Sequence, residues 1–376
     1  MIPIAKPYLT TEEAQNAYDT ILTGWITQGP RVAEFEEKFA TYVGSKYAVA
    51  VSNCTTALHL AMIVAGIGPG DEVICPSLSY IATANSITYV GAKPIFAEID
   101  PLNYNLDIED VENRITPDTK AILLVHQIGM PADIDNFKLL CDKYNLKLIE
   151  DAACAAGSSY KGKKIGSHSE LVCFSFHPRK VITTGDGGMI TTSNEDYYHR
   201  LKMLRQHGMS INDRVRHNSD KILFEEHVEI GYNYRMTDIQ ASVGIKQLEK
   251  LDFIVGERRK IAEKYHDAFR SLNNVRLPIE NTGYLSNYQS FSIYLKENFP
   301  LSRNDLMQKM LDSGISTRRG IMTTHRELAY RNYNGINSLS VSEHASDNSI
   351  LIPLYYPMTD KDISFVISTF LQNASA

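Results

Sequence analysis

An aspartate and a lysine stand just beyond two apolar runs of this 376-residue chain. Asp151 follows LKLIE (146–150), and Lys180 lies in HPRKVITTGDGGMI (177–190), just after LVCFSF (171–176). An aspartate at a strand end can cap the next helix or pair with a cation in a crevice. Read alone, Lys180 is a solvated loop lysine, one of several basic residues with Arg179, Lys161, Lys163 and Lys164. Taken together, the two residues say more. A lysine in a dry pocket or near fixed cations loses its proton readily and can form a Schiff base. A carboxylate can hold a pyridine nitrogen protonated. The two meet the minimal requirement of a pyridoxal 5′-phosphate (PLP) enzyme.

Such a cofactor also needs a phosphate cradle and a ring platform. SNCTTALHLA (52–61) follows a short apolar strand and starts a helix near Thr55. Its free N–H groups and hydroxyls suit a phosphate, or serve only as an N-cap. Ser175 can add a hydroxyl. Tyr80, at the end of CPSLSY (75–80), can stack on a planar ring or pack as a core aromatic. Other motifs carry less. GPGDE (68–72) reads as a turn, and the eleven histidines form no HExxH-type cluster, so no metal is expected. The five cysteines read as small apolar residues. No nucleophile-elbow motif is present.

The elements that must position these residues alternate. Apolar strands are expected at 47–51, 71–76, 93–99, 121–126, 146–150, 171–176 and 187–193. Helices are expected at 55–67, 80–90, 133–145 and 195–208. This rhythm implies a mostly parallel sheet covered on both faces, with ligands beyond the strand C-termini. Before it, TTEEAQNAYDTILTG (10–24) reads as a helix with a Thr10–Glu13 capping box and Ala14, Ala17, Tyr18, Ile21 and Leu22 on one face. A second helix covers RVAEFEEKFATYVG (31–44). From about 237 the chain reads as one long charged helix, followed by a strand at 290–295 and helices near 302–313 and 360–372. The expected organisation is a large domain over 1–245 and a smaller C-terminal α/β domain over 246–376.

Composition narrows the class. The chain is 43% hydrophobic and 22% charged, ordinary for a globular protein with a sizeable core. A net charge of −6 argues against a sequence-wide footprint for nucleic acid. The apolar runs fall short of the roughly 18 residues of a membrane span. An odd cysteine count without a leader-like N-terminus points to reduced thiols in a cytoplasm.

With these residues in place, the chain resembles the DegT/DnrJ/StrS sugar aminotransferases, fold-type I PLP-dependent enzymes. The resemblance runs nearly end to end, through GWITQGPRVAEFE, VSNCTTALHLA, GIGPGDEVICPSLSYIATANSI, VGAKPIFAEID, LIEDAACAAGSSYKGKKIGS, FSFHPRKVITTGDGGMI and GYNYRMTDIQASVGIKQLEKLD. It implies an α/β fold with a mostly parallel mixed sheet between helices and a smaller C-terminal α/β domain. It implies that Lys180 is the Schiff-base lysine, Asp151 the partner of the pyridine nitrogen and Tyr80 the aromatic on the ring. It places Thr55, the backbone at Cys54, and Ser175 in the phosphate cradle, and the Cys154 side chain near the cofactor. Asn233 matches an asparagine that reaches the phosphate from a neighbouring subunit, which implies a homodimer with shared active sites. Arg235 and His325 are expected at the border of the substrate pocket.

The resemblance also implies a reaction. An amino group moves from L-glutamate to a nucleotide-linked keto sugar, with a 4-keto-6-deoxy hexose as the expected acceptor, for amino-sugar or cell-surface polysaccharide synthesis. Sugar 3-dehydratases of this fold carry a histidine in place of the lysine; this chain keeps Lys180. The alternatives are such a dehydratase, a glutamine-dependent cyclitol aminotransferase, or a non-catalytic regulator on the same fold. Three residues depart from the family pattern. Cys54 stands for glycine or alanine, Cys154 for glutamine or histidine, and Asp186 for a frequent glutamate.

Overall fold

The computed structural model describes residues 1–211, 220–222, 224–331, 333 and 339–375. Two helices open the chain, α1 (Thr11–Leu22) and α2 (Pro30–Val43). The expected capping box is present: Thr10 accepts from the Glu12 backbone, and Glu13 accepts from the Thr10 N–H at 2.7 Å. Helix α2 has Pro30 at its first position and ends on Gly44 at φ 75°, which a glycine adopts without steric cost. The alternation follows as β1 (Tyr47–Val51), α3 (Cys54–Val64), β2 (Glu72–Pro76), α4 (Ala82–Tyr89), β3 (Lys93–Ala97), α5 (Ile108–Asn113), β4 (Thr119–Val125), α6 (Ile134–Tyr144) and β5 (Lys147–Asp151). Next come β6 (Ser159–Tyr160), β7 (Lys163–Lys164), β8 (Leu171–Ser175), β9 (Gly188–Thr192) and α7 (Glu195–Leu204).

Among the described residues the main sheet has seven strands in the order β1-β9-β8-β5-β4-β2-β3. Strand β9 runs antiparallel to both neighbours; the pairs from β8 to β3 are parallel. Side chains alternate between two buried layers, as the strand period of two requires. Ala48, Ala50, Ile122, Leu124, Val172 and Phe174 join α2 and α6 on one face. Val49, Val51, Ala121, Leu123, Leu171 and Cys173 join α3 and α4 on the other. Both faces are dry, so the strands read as continuous apolar runs. The chain has the expected α/β fold.

The long C-terminal helix expected from 237 is two helices, α8 (Asp238–Glu249) and α9 (Leu251–Phe269). They part at Lys250, whose N–H turns back to Gln247 and whose ammonium binds Glu12 and Glu13. The first half of α9 packs with the main sheet through Leu251, Ile254 and Val255. Its second half packs through Ile261, Tyr265 and Phe269 into a separate core. Against that core lies an antiparallel sheet in the order β10-β12-β14-β13, made of β10 (Val275–Arg276), β12 (Phe291–Leu295), β14 (Ser349–Ile352) and, at its exposed edge, β13 (Arg318–Arg319). Strand β11 (Tyr284–Leu285) instead pairs with β6. Helices α10 (Arg303–Asp312), α11 (Ser340–Asn348) and α12 (Asp360–Ala374) complete this region. The N-terminal residues also sit there: the Ile2 N–H donates to Gly314, and Ser316 donates to the Ile2 carbonyl.

Helix α1 departs from its expected packing. Its buried residues are Glu13 and Thr20. Tyr18, Ile21 and Leu22 are 57%, 50% and 68% exposed. The apolar stripe is present but faces away from this chain's own core.

Candidate active site

Asp151 closes β5 and is buried. One carboxylate oxygen accepts the Ala153 N–H at 3.1 Å and the other accepts the Thr83 hydroxyl at 2.9 Å. The Thr83 hydroxyl has a single proton and spends it on Asp151, so Ser79, 2.8 Å away, donates to Thr83. Burial pushes the Asp151 carboxyl above its ordinary value, against the pull of these hydrogen bonds and of Lys180.

Lys180 lies between β8 and β9. It is not a solvated loop lysine, and its loop is held by the surrounding structure. Phe176 anchors it through the Phe176 N–H to Gly187, the Thr184 N–H to Phe176 and the Thr183 hydroxyl to Phe176. Val181 and Ile182 are buried, and Gln289 donates to the Arg179 carbonyl at 2.6 Å. Gly185, at φ 87°, makes the left-handed step of the return. The Lys180 ammonium points to the Cys154 sulfur at 3.1 Å. Burial pulls the Lys180 ammonium down, but Cys154, Cys54 and Asp151 hold it above its ordinary value.

The third component is the start of α3. Asn53 caps the helix by accepting from Thr56. The Cys54 and Thr55 N–H groups therefore belong to the first turn that the helix leaves open to an anion. Gly188 pairs with Val51 on one side and Ser175 on the other, so the strand register brings Ser175 to the same corner. A Cβ on Gly188 would lie 2.5 Å from the Asn53 carbonyl and 2.8 Å from the Cys54 nitrogen. Only glycine admits the helix start this close. Burial pushes the Cys54 thiol well up, and Asp151, Lys180 and Cys154 all act on it electrostatically. Asp151, Lys180, Cys154, Cys54, Thr55 and Ser175 thus share one corner beyond the strand ends.

The other expected residues lie around it. Tyr80 is 67% exposed, on the connection from β2 to α4. Asn233 is exposed, and its side-chain oxygen accepts from Arg235 at 3.1 Å. The Asn233–Arg235 stretch bridges to Gln206 and Val51. His325 is buried, with Nδ1 at 2.5 Å from the Ser77 hydroxyl and Nε2 at 3.0 Å from Glu343. Both its ring nitrogens are engaged within the protein, so its expected place at a substrate border offers no open nitrogen. The Asp186 carboxylate accepts the Gly187 N–H at 3.0 Å.

Sequence reasoning missed Thr83, Ser79, Asn287 and Gln289. Asn287 donates to the carbonyls of Cys154 and Ala156, both at 2.8 Å, and so fixes the turn after Asp151. Only the four-residue spacing of Ser79 and Thr83 hinted at a shared face. Nothing near Asn287 in sequence indicates a partner 133 residues away.

These residues fit a phosphorylated pyridine aldehyde. A buried carboxylate suits a ring nitrogen, a primary amine suits an aldehyde, and an open helix start beside a glycine suits a phosphate. The comparisons agree. GDP-perosamine synthase from Caulobacter vibrioides is 38% identical over 373 residues, 99% of this chain and 98% of its own. The structure of the aminotransferase TlmJ from Streptoalloteichus hindustanus superposes with a TM-score of 0.92 at 31% identity, covering 100% of both chains. The Spr1654 protein of Streptococcus pneumoniae, in its PMP form, superposes with a TM-score of 0.94 at 28% identity, covering 100% of this chain and 99% of its own. A PLP form of the same protein superposes similarly, at 0.93. Residues 7–371 match the DegT/DnrJ/EryC1/StrS aminotransferase family, so the chain belongs to that family of PLP-dependent sugar aminotransferases.

Proposed function

We propose that this enzyme moves the amino group of L-glutamate to a nucleotide-linked 4-keto-6-deoxy hexose, releasing 2-oxoglutarate and the amino sugar. The observation that carries this reading is the meeting of Lys180 and Asp151 at one corner beside the open start of α3. The GDP-perosamine synthase relative favours a GDP-linked acceptor. Bound PLP supplies a pyridine ring that takes up electrons when a bond to the amine-bearing carbon breaks. The protein supplies the rest. Lys180 attaches the cofactor; once free, its amine takes the proton from the donor's α-carbon. In the second half it delivers a proton to the sugar carbon that gains nitrogen. Asp151, oriented by Thr83 and Ala153, keeps the ring nitrogen protonated. The first turn of α3 and Ser175 hold the phosphate, and Tyr80 covers the ring.

A second copy covers the exposed Tyr18, Ile21 and Leu22 stripe and brings its Asn233 to the phosphate. A large domain over 1–245 and a smaller one over 246–376 remain part of this reading, supported by the separate C-terminal sheet and core, although the first half of α9 packs with the main sheet. The five free cysteines accord with a reducing cytoplasm, where activated sugars for surface polysaccharide are made.

Protein incubated with PLP, L-glutamate and GDP-, UDP- or dTDP-linked 4-keto-6-deoxy sugars is read by mass spectrometry. The amino sugar nucleotide is expected, first with the GDP form. Amino product from glutamine but not glutamate, or a dehydrated product instead, contradicts the proposal.

A further inference from the structure

The Cys154 side chain has no place in the chemistry above, yet its sulfur lies 3.1 Å from the nitrogen that carries that chemistry. Its position is fixed from behind: Asn287 donates to the Cys154 carbonyl at 2.8 Å, and the turn that holds it begins at Asp151. The Asn287 oxygen in turn accepts the Gln289 N–H at 2.8 Å, and Gln289 donates to the carbonyl of Arg179, the residue before Lys180. One chain of hydrogen bonds therefore ties the cysteine and the lysine loop together. Their approach is set by the fold and not by the flexibility of the lysine side chain.

We propose that Cys154 is a positioning residue for Lys180: its sulfur receives the free ammonium and parks it facing the cofactor site. This rests on the aminotransferase reading, in which Lys180 is repeatedly released and recaptured. Sulfur is a weak acceptor, so it orients the amine without trapping it. A carboxylate at 154 would form a buried ion pair, which is costly to break. The other charged or titratable groups around Lys180 are Asp151 from β5, Cys54 from α3, and His177 and Arg179 from its own loop, with Asp186 beyond His177. All of these stay constant when only position 154 is changed.

The test requires neither cofactor nor substrate, so its failure is distinct from failure of the aminotransferase reading. Cofactor-free protein is reductively methylated with formaldehyde and cyanoborohydride across a pH series. Modification of Lys180 is followed by peptide mass spectrometry. The reaction needs the uncharged amine, so the pH midpoint reports how firmly the ammonium is held. Cys154→Ala is expected to move the midpoint to lower pH, Cys154→Ser to fall between alanine and wild type, and Cys154→Asp to move it higher. Loss of one weak hydrogen bond to a charge, about 1 kcal/mol, corresponds to about fivefold more uncharged amine below the midpoint in Cys154→Ala. Circular dichroism confirms which variants fold; alanine or, where it does not fold, serine decides whether the sulfur holds the ammonium, and aspartate shows that position 154 faces it. A midpoint unchanged in Cys154→Ala, or in Cys154→Ser where alanine does not fold, overturns the proposal.

Discussion

Asp151 and Lys180 were legible as a pair and not singly, because each follows a strongly apolar strand, and strand ends in parallel sheets face one crevice. The residues that tune them were not. Thr83 reaches Asp151 across 68 positions of sequence, and Cys154 meets Lys180 only because two turns close on each other. Hydroxyls and thiols carry no periodic signal that would announce such contacts. At this scale, Asp151→Asn should still attach PLP through Lys180 but react with glutamate about a hundredfold more slowly, measured by rapid-mixing absorbance. Thr83→Val should cost less, about tenfold, because the Ala153 N–H still orients the carboxylate. Equal rates for wild type and Asp151→Asn would remove Asp151 from the mechanism.

Elements were legible where the apolar period was strong. Strand β1 lies where its five residues predicted it, and the main-sheet strands fall within two residues of expectation at each end. Short elements such as α5, α11 and β13 have too few residues for a period to emerge, and the break at Lys250 is set by its distant partners Glu12 and Glu13. Glu13 shows what such partners are worth. Burial would raise its carboxyl, but Lys250 and Gln247, both at 2.8 Å, and Thr10 hold it down to about 2 from an ordinary 4.5. The difference corresponds to about 3 kcal/mol. A depressed carboxyl stabilises the fold above the unfolded value and ceases to do so as pH falls through the folded one. Glu13→Gln should therefore lower the melting temperature at neutral pH, and the gap to wild type should close between about pH 4.5 and pH 2. A constant gap across that window would show that charge is not involved. Gly188→Ala tests the cradle. Pushing α3 off β9 costs about 1–3 kcal/mol, so PLP affinity measured by equilibrium dialysis should fall about tenfold or more.

At the scale of the whole molecule, the sequence contains the apolar stripe of α1 but not what covers it. An apolar period looks the same whether it meets its own core or another copy. Tyr18, Ile21, Leu22 and Asn233 are each exposed, as a dimer with shared active sites would require before it forms. Lys180→Ala and Asn233→Ala proteins, each weak alone, should regain activity when unfolded and refolded as a mixture, because one site of a hybrid then has both residues intact. No recovery would confine each site to one chain. Borohydride reduction of the PLP-loaded protein followed by peptide mapping tests directly whether Lys180 is the amine to which the cofactor is bound. A phosphopyridoxyl group is expected on the peptide that contains Lys180, and is expected to be lost in Lys180→Ala. A stoichiometric adduct on any other lysine, or none at all, would contradict this role of Lys180.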